Sequence, residues 1–226
     1  ARLAKIDELY TMDAYHSLFI EKYSVSPELI EKVRLGNWDI NDPETKGHID
    51  AMAARGYWLA SQEVRKSIEK ILKGEAPGTV VEKDHGTWYK ALFSPSVQAG
   101  IIPPSALAGY RMGPVYISDS RHVPMDKNAV REVLPVYFDL LKKEKHAAVR
   151  AILGHFFFVY IHPYMDGNGR MARFLMNAML ISGGYAWTVI PVGKRDNYMN
   201  ALEQASVNED IRPFVEFLKR VHGPIS

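Results

Sequence analysis

The sequence predicts an all-α domain with one short β-hairpin. Apolar residues recur three and four apart through most of the chain, the spacing of amphipathic helices. Only Val115-Tyr116-Ile117-Ser118 reads as a strand, and the turn-forming residues around it suit a hairpin or flap. Length and composition agree, since 226 residues with 47% hydrophobic and 24% charged types suit one compact domain rather than a disordered chain.

The elements follow in order. Leu9 to Glu21 reads as a first helix. Ser26 then caps a second, and Pro27 suits its first position, where a missing N–H is no loss. That helix carries Leu29, Ile30 and Val33 and stops near Gly36-Asn37. Asn41-Asp42-Pro43-Glu44 starts a long third helix through Ile49, Met52, Tyr57, Val64, Ile68 and Leu72, ended by Gly74. After a loop to Gly78, Val80 to Phe93 is helical, interrupted or begun around Gly86. Pro and Gly crowd Ser94 to Gly113, which predicts irregular chain up to the hairpin. Asp126 caps an amphipathic helix through Val130, Val133, Tyr137, Leu140 and Leu141. Ala147 to Ile161 is apolar nearly all round, as helices in the middle of a bundle are. A loop from His162 to Arg170 feeds a helix from Met171 to Ser182, which Gly183-Gly184 ends. Asn197 to Ala205 and Ile211 to Val221 complete the helices.

Composition removes several kinds of chemistry. With no cysteine, disulfide frameworks, Cys-ligated zinc, iron–sulfur centres and thiol nucleophiles are excluded. A formal net charge of +2 is too even to argue for nucleic acid or an acidic membrane. The apolar run from Ala147 to Ile161 contains Arg150 and His155 and falls short of the roughly 20 residues a spanning helix needs. The chain begins Ala1-Arg2-Leu3, with neither an initiator Met nor a signal-type run, so it reads as processed or part of something longer. The expected setting is soluble and cytoplasmic.

The stretch richest in chemistry is His162-Pro163-Tyr164-Met165-Asp166-Gly167-Asn168-Gly169-Arg170-Met171-Ala172-Arg173. It is a glycine-bearing turn delivered onto a helix N-terminus, where free N–H groups and the positive dipole end attract an anion. Gly167 and Gly169 let the backbone approach a ligand closely. Arg170 and Arg173 share one face of the first turn, where two cations oppose the helix dipole. An anionic ligand removes that conflict, and paired arginines suit a polyphosphate better than a single carboxylate. Asp166 just before the cradle is placed as Mg²⁺ is usually held, by one carboxylate with phosphate oxygens and water. His162 ends the upstream helix and can accept a proton from a hydroxyl near neutral pH. Singly, a histidine at a helix end is favoured by the dipole alone, and Asn-Gly is an everyday turn. It is the grouping of all of these in one window that is unusual.

This string resembles the signature of the Fic family of nucleotidyltransferases, His-x-Phe-x-Asp/Glu-Gly-Asn-Gly-Arg-x-x-Arg, with Tyr164 in place of Phe. Gly109-Tyr110-Arg111 followed by Val115-Tyr116-Ile117 is similar to the family's flap, which aligns a target peptide. Lys194-Arg195-Asp196-Asn197-Tyr198 is similar to the segment that helps enclose the adenine. The resemblance covers roughly residues 8 to 221 and implies a Fic-type helical bundle with a hairpin flap. It implies AMP transfer from ATP to a Ser, Thr or Tyr hydroxyl of a target protein, which could be the chain itself. His162 would then be the base and Asp166 would hold Mg²⁺. Gly167, Asn168 and Gly169 would form the anion hole, Arg170 and Arg173 would grip the β- and γ-phosphates, and Tyr198 would belong to the nucleotide site, where its segment helps enclose the adenine. No membrane or nucleic-acid partner is implied, and a homo-oligomer is compatible. A winged-helix region, which many members append, would have to lie outside these residues.

Many Fic proteins carry an inhibitory helix with Ser/Thr-x-x-x-Glu-Gly/Asn. Ser17-Leu18-Phe19-Ile20-Glu21-Lys22 resembles it, with Ser17 and Glu21 on one helix face and Lys22 departing from Gly/Asn. Glu21 would pair with Arg173 and misalign ATP. Residues 1–75 are thus expected to be an N-terminal helical region carrying this brake, and residues 76–226 the catalytic core. Relatives that transfer UMP, phosphocholine or phosphate, or that remove AMP, form an alternative, as does a non-catalytic ATP-binding module. Gly169 favours AMP, since phosphate-transferring relatives usually carry lysine there. The other histidines show no metal-type spacing, and His155 reads as a hydrogen-bonded core residue.

Overall fold

The computed structural model of the chain describes residues 2–37 and 48–222. Nine α-helices run through the described residues. They are α1 (Arg2–Ile20), α2 (Pro27–Arg34), α3 (Ile49–Leu72), α4 (Pro77–Gln98), α5 (Lys127–Lys143), α6 (Ala147–Ile161), α7 (Asn168–Ser182), α8 (Arg195–Val207) and α9 (Arg212–His222). Two 3₁₀ turns, Pro104–Leu107 and Val192–Lys194, join them. The start expected for the third helix, Asn41 to Glu44, lies outside the described residues.

Long antiparallel pairs build the core, with α3 along α4 and α6 along α7. The most thoroughly buried helix is α7 rather than α6. From Met171 to Met179 every residue of α7 is buried, whereas α6 leaves Leu153 and Phe157 on its outer side. Apolar composition alone does not choose the central helix; α7 takes that place because α3, α4 and α6 all pack on it. Ser26 caps α2 by accepting from Leu29 N–H, and Asp126 caps α5 by accepting from Asn128 N–H.

Helix α4 runs unbroken through Gly86 and Pro95. A Cβ at Gly86 would meet nothing, so this glycine carries only its propensity cost of about 1 kcal/mol. The packing of α4 along α3 outweighs both residues.

The expected β-hairpin is absent: among the described residues there is no strand. Val115 to Ser118 keeps a period of two, with Val115 and Ile117 half-buried and Tyr116 exposed, but no second segment pairs with it. The returning chain is bonded elsewhere. Glu203 of α8 accepts from Ser120 Oγ and, at 2.9 Å, from Arg121 N–H, while His122 Nε2 lies 2.9 Å from the Tyr160 carbonyl of α6. A lone extended segment without a ladder partner is not a sheet.

Helices α2, α3, α4 and α7 each end with a glycine of positive φ just past the last turn, at Gly36, Gly74, Gly100 and Gly184. Helix α1 closes in the same way, with Tyr23 N–H on Leu18 O at 3.1 Å and Lys22 N–H on Phe19 O at 3.0 Å. Its left-handed residue is Lys22, at φ 68°.

Candidate active site

The turn between α6 and α7 is built on Tyr164 and Asn168. Tyr164 is buried and its ring stacks on Tyr89, with centroids 3.7 Å apart and planes 6° from parallel. The departure from Phe thus keeps the aromatic anchor. Asn168 closes the turn with two bonds of 2.9 Å, accepting from Tyr164 N–H and donating to Tyr164 O. Gly167 sits at φ 79°, and a Cβ there would press on Phe93, so the position favours glycine. The helix consequently starts at Asn168, three residues earlier than its apolar pattern suggests.

His162 caps α6 in a left-handed conformation, at φ 53° and ψ 62°. Its Nδ1 lies 3.0 Å from the Val159 carbonyl. A carbonyl only accepts, so Nδ1 carries the proton and Nε2 keeps its lone pair. Burial pushes the imidazole below the usual histidine pKa; Val159 O and Glu21 oppose the shift, while Arg111 and His122 favour it.

Arg170 and Arg173 are both buried. The Arg170 guanidinium lies between the rings of Tyr23 and Phe93, 5.0 Å from each centroid. Its Nη2 is 3.4 Å from Asp166 Oδ2, and its Nε has no partner among the described residues. Arg173 is held by helix α1: Nε donates to Ser17 Oγ at 2.9 Å, and Nη2 donates to Ser17 O at 3.1 Å and to Glu21 Oε1 at 2.7 Å. Its Nη1 has no partner among the described residues. Burial works to raise the Glu21 pKa, but Arg173, Arg170 and Arg195 together bring it below the usual carboxylate range. Arg195 also donates from Nε to Ile20 O at 2.9 Å, fixing the end of α1.

Asp166 is largely exposed at the rim and accepts from Gly167 N–H. Among the described residues no three His, Asp or Glu side chains gather as a metal cage. The residues present fit an ion bound through one carboxylate and completed by ligand oxygens and water, the way Mg²⁺ is held beside phosphates.

The structure thus brings Ser17, Glu21, His162, Asp166, Gly167, Asn168, Gly169, Arg170 and Arg173 to one region. It does not bring Tyr198 to the surface. Tyr198 is buried behind Arg173, with its hydroxyl 2.8 Å from His155 Nε2. His155 is fully buried, and burial, aided by Arg173, lowers its pKa to about 3. Tyr116 stands exposed on the extended segment. Sequence reasoning did not find Tyr23 and Phe93 as walls for Arg170, nor the grip of Arg195 on α1. The sole signal for Tyr23 was an aromatic residue just past a helix end.

Fold and site together define a helical bundle with two buried arginines at a helix start and a histidine at the preceding helix end. Residues 79–180 match the model of the Fic/DOC family. The protein adenylyltransferase Fic of Nematostella vectensis is 30% identical over 220 residues, which are 95% of this chain and 47% of that protein. That of Drosophila willistoni is 35% identical over 123 residues, 53% of this chain and 24% of its own length. Fic-1 from C. elegans superposes with a TM-score of 0.76 at 21% identity, covering 97% of this chain and 63% of that one. A Fic family protein from Desulfovibrio desulfuricans G20 gives 0.70 at 23% identity, covering 96% and 62%. The chain belongs to the Fic/DOC family. It spans about half the length of the Nematostella relative and about a quarter of the Drosophila one. Among the described residues no helix is long and apolar enough to cross a membrane.

Proposed function

We propose that this chain is a protein adenylyltransferase that moves AMP from ATP to a Ser, Thr or Tyr hydroxyl of a target protein, with Glu21 as an internal brake. The observation that carries the reading is the pair of buried arginines at the start of α7, each with one donor left unpartnered among the described residues. Buried donors without partners cost about 1–3 kcal/mol each, and phosphate oxygens would satisfy them. Names of relatives at 30–35% identity point the same way.

In this reading His162 Nε2 takes the proton from the incoming hydroxyl. The hydroxyl oxygen bonds to the α-phosphorus as the bond from that phosphorus to the bridging oxygen breaks, and pyrophosphate leaves. The N–H groups from Gly167 to Gly169 and the two arginines stabilise the charge on the phosphates. Asp166 would hold Mg²⁺, which when bound neutralises phosphate charge. Tyr198 acts from behind, fixing Arg173 in place. The extended segment at Val115, Tyr116 and Ile117 aligns the target chain. Residues 1–75 supply the regulatory helix and residues 76–226 the catalytic part.

The test is label transfer to protein from ATP carrying the label at the α or the γ position. Transfer from the α position alone, lost in His162→Ala with ATP binding kept, is expected. Loss of the base lowers the rate by about 10²–10⁴-fold. Transfer from the γ position, or full transfer by His162→Ala, would overturn the reading.

A further inference from the structure

Arg111 is buried and, among the described residues, has no acidic hydrogen-bond or ion-pair partner. Its Nε donates to His162 O at 2.8 Å, its Nη1 to Gly113 O at 3.1 Å and its Nη2 to Met125 O, and its backbone N–H donates to Pro163 O at 2.9 Å. All these acceptors are neutral carbonyls. Asp126 is the acidic neighbour that acts on Arg111, but its carboxylate is engaged as the cap of α5 on Asn128 N–H at 2.9 Å. A guanidinium does not shed its proton in a protein, so a positive charge with no carboxylate bonded to it is fixed at this point. Bridging carbonyls needs only donors, which neutral side chains also offer. A buried cation without a carboxylate has to be explained by what it stands beside.

It stands beside His162, a non-glycine residue held in the left-handed region at φ 53°. By gripping the carbonyls of both His162 and Pro163, Arg111 fixes the backbone that aims the imidazole. We propose that Arg111 is a positioning residue for His162, clamping its backbone and standing next to the imidazole as a cation with no carboxylate partner. The inference rests on His162 acting as the base. The charged groups acting on the imidazole are Arg111 and His122, which disfavour its protonation, and Glu21, which favours it, as the Val159 carbonyl does. His122 is itself turned to the Tyr160 carbonyl and stacks on Tyr160. Arg111 is therefore the one permanent cation in this set, and it biases the ring toward the neutral form that can accept a proton.

Charge and clamp separate by substitution. Arg111→Met and Arg111→Gln remove the charge, and Gln retains a donor should Met fail to fold. Arg111→Lys retains the charge without the forked geometry. The His162 ring is titrated by NMR in each variant, and label transfer is followed against pH in the Glu21→Gly background. In the neutral variants the His162 midpoint is expected to rise by roughly half a pH unit or more, and the acid limb of transfer to move with it. In Arg111→Lys the midpoint is expected to stay, while kcat falls about tenfold or more at an unchanged KM for ATP. An unmoved midpoint in both neutral variants, or wild-type kcat in Arg111→Lys, overturns the proposal. If Glu21→Gly itself transfers no label, the reading of the activity fails, and the NMR midpoints still decide the role of the charge.

Discussion

Glu21 Oε1 accepts a hydrogen bond from Arg173 Nη2 at 2.7 Å across 152 residues of chain. Ser17 supplies two further contacts to the same guanidinium, so one turn of α1 occupies most of its donors. A phosphate needing Arg173 must compete with a carboxylate already in place. The competition is intramolecular, and dilution does not weaken it.

Glu21→Gly is therefore expected to raise self-modification and transfer to target. It also leaves Arg173 buried without its carboxylate, so the free variant should be less stable, by about 1–3 kcal/mol. Bound ATP should restore more of that loss than it adds to the wild type. Thermal shifts with and without Mg²⁺-ATP, beside label transfer, measure both effects. Unchanged transfer and unchanged melting would make Glu21 ordinary surface charge.

The two parts of the site differ in how far they can be read from the chain. The turn from His162 to Arg173 was legible because its glycines, arginines and histidine act within one local stretch, and the bounds of α6 coincide with its apolar run. Arg111 was legible only as part of a resembling segment. Its carbonyl partners are chosen by tertiary packing, 51 residues away in the case of His162. The hairpin failed for the same reason in reverse. Val115 to Ser118 has the alternation of a strand, but Glu203, 83 residues beyond Ser120, takes up the chain that would have paired with it. Local pattern sets how a segment would sit in a sheet without deciding whether a partner arrives.

Lys22 occupies the left-handed position past α1 that four other helices fill with glycine. The pattern that Ser17 to Lys22 resembles has Gly or Asn there, residues that take the left-handed region more readily, and Lys22 departs from it at the cost of strain. A left-handed L-residue costs about 1–2 kcal/mol, while the exposed pair of Lys22 with Asp119 at 3.5 Å returns at most about 1. Lys22→Gly should raise the melting temperature by a few degrees, since about 1 kcal/mol is worth 2–4 °C at this size. It should also lower basal transfer, because Glu21 is the residue just before the turn. Calorimetry with a transfer assay decides it, and a lower melting temperature would contradict the strain argument.

The pH dependence has a definite sign. Glu21 has a depressed pKa when folded, so its pairing is fully present above the ordinary value of 4.5 and is lost only as pH falls through the lower folded value. The proposed brake should hold unchanged from pH 5 to 8. His162 is a base whose folded pKa is also depressed, so the unfolded chain binds its proton first, and stability rises with pH up to the ordinary 6.5. In the proposed mechanism transfer needs the neutral ring. In Glu21→Gly the rate should be flat above pH 6.5 and should fall with a midpoint below it. A rate–pH profile centred at or above 6.5 would show that burial does not control this histidine.

Gly169 reports on whether Glu21 and the anion cradle share space. A Cβ at this position would collide with Glu21 Oε1 and come within 3.2 Å of Arg173 Nη1. Gly169→Ala should therefore push Glu21 from its seat and lower the stability of the wild type. In the Glu21→Gly background the colliding atoms are gone, and only the lesser contact with Arg173 is left. Stabilities of the four proteins form a double-mutant cycle with an expected coupling of about 0.5–3 kcal/mol, the second substitution costing less in the presence of the first. Additivity within about 0.3–0.5 kcal/mol would mean that the two residues do not touch in solution. Label transfer gives the complementary reading. Alanine at 169 can release the brake and still narrow the cradle, so the single variant mixes a gain with a loss. Glu21→Gly already lacks the proposed brake, and adding Gly169→Ala to it should lower transfer, isolating what the glycine contributes to the proposed phosphate site.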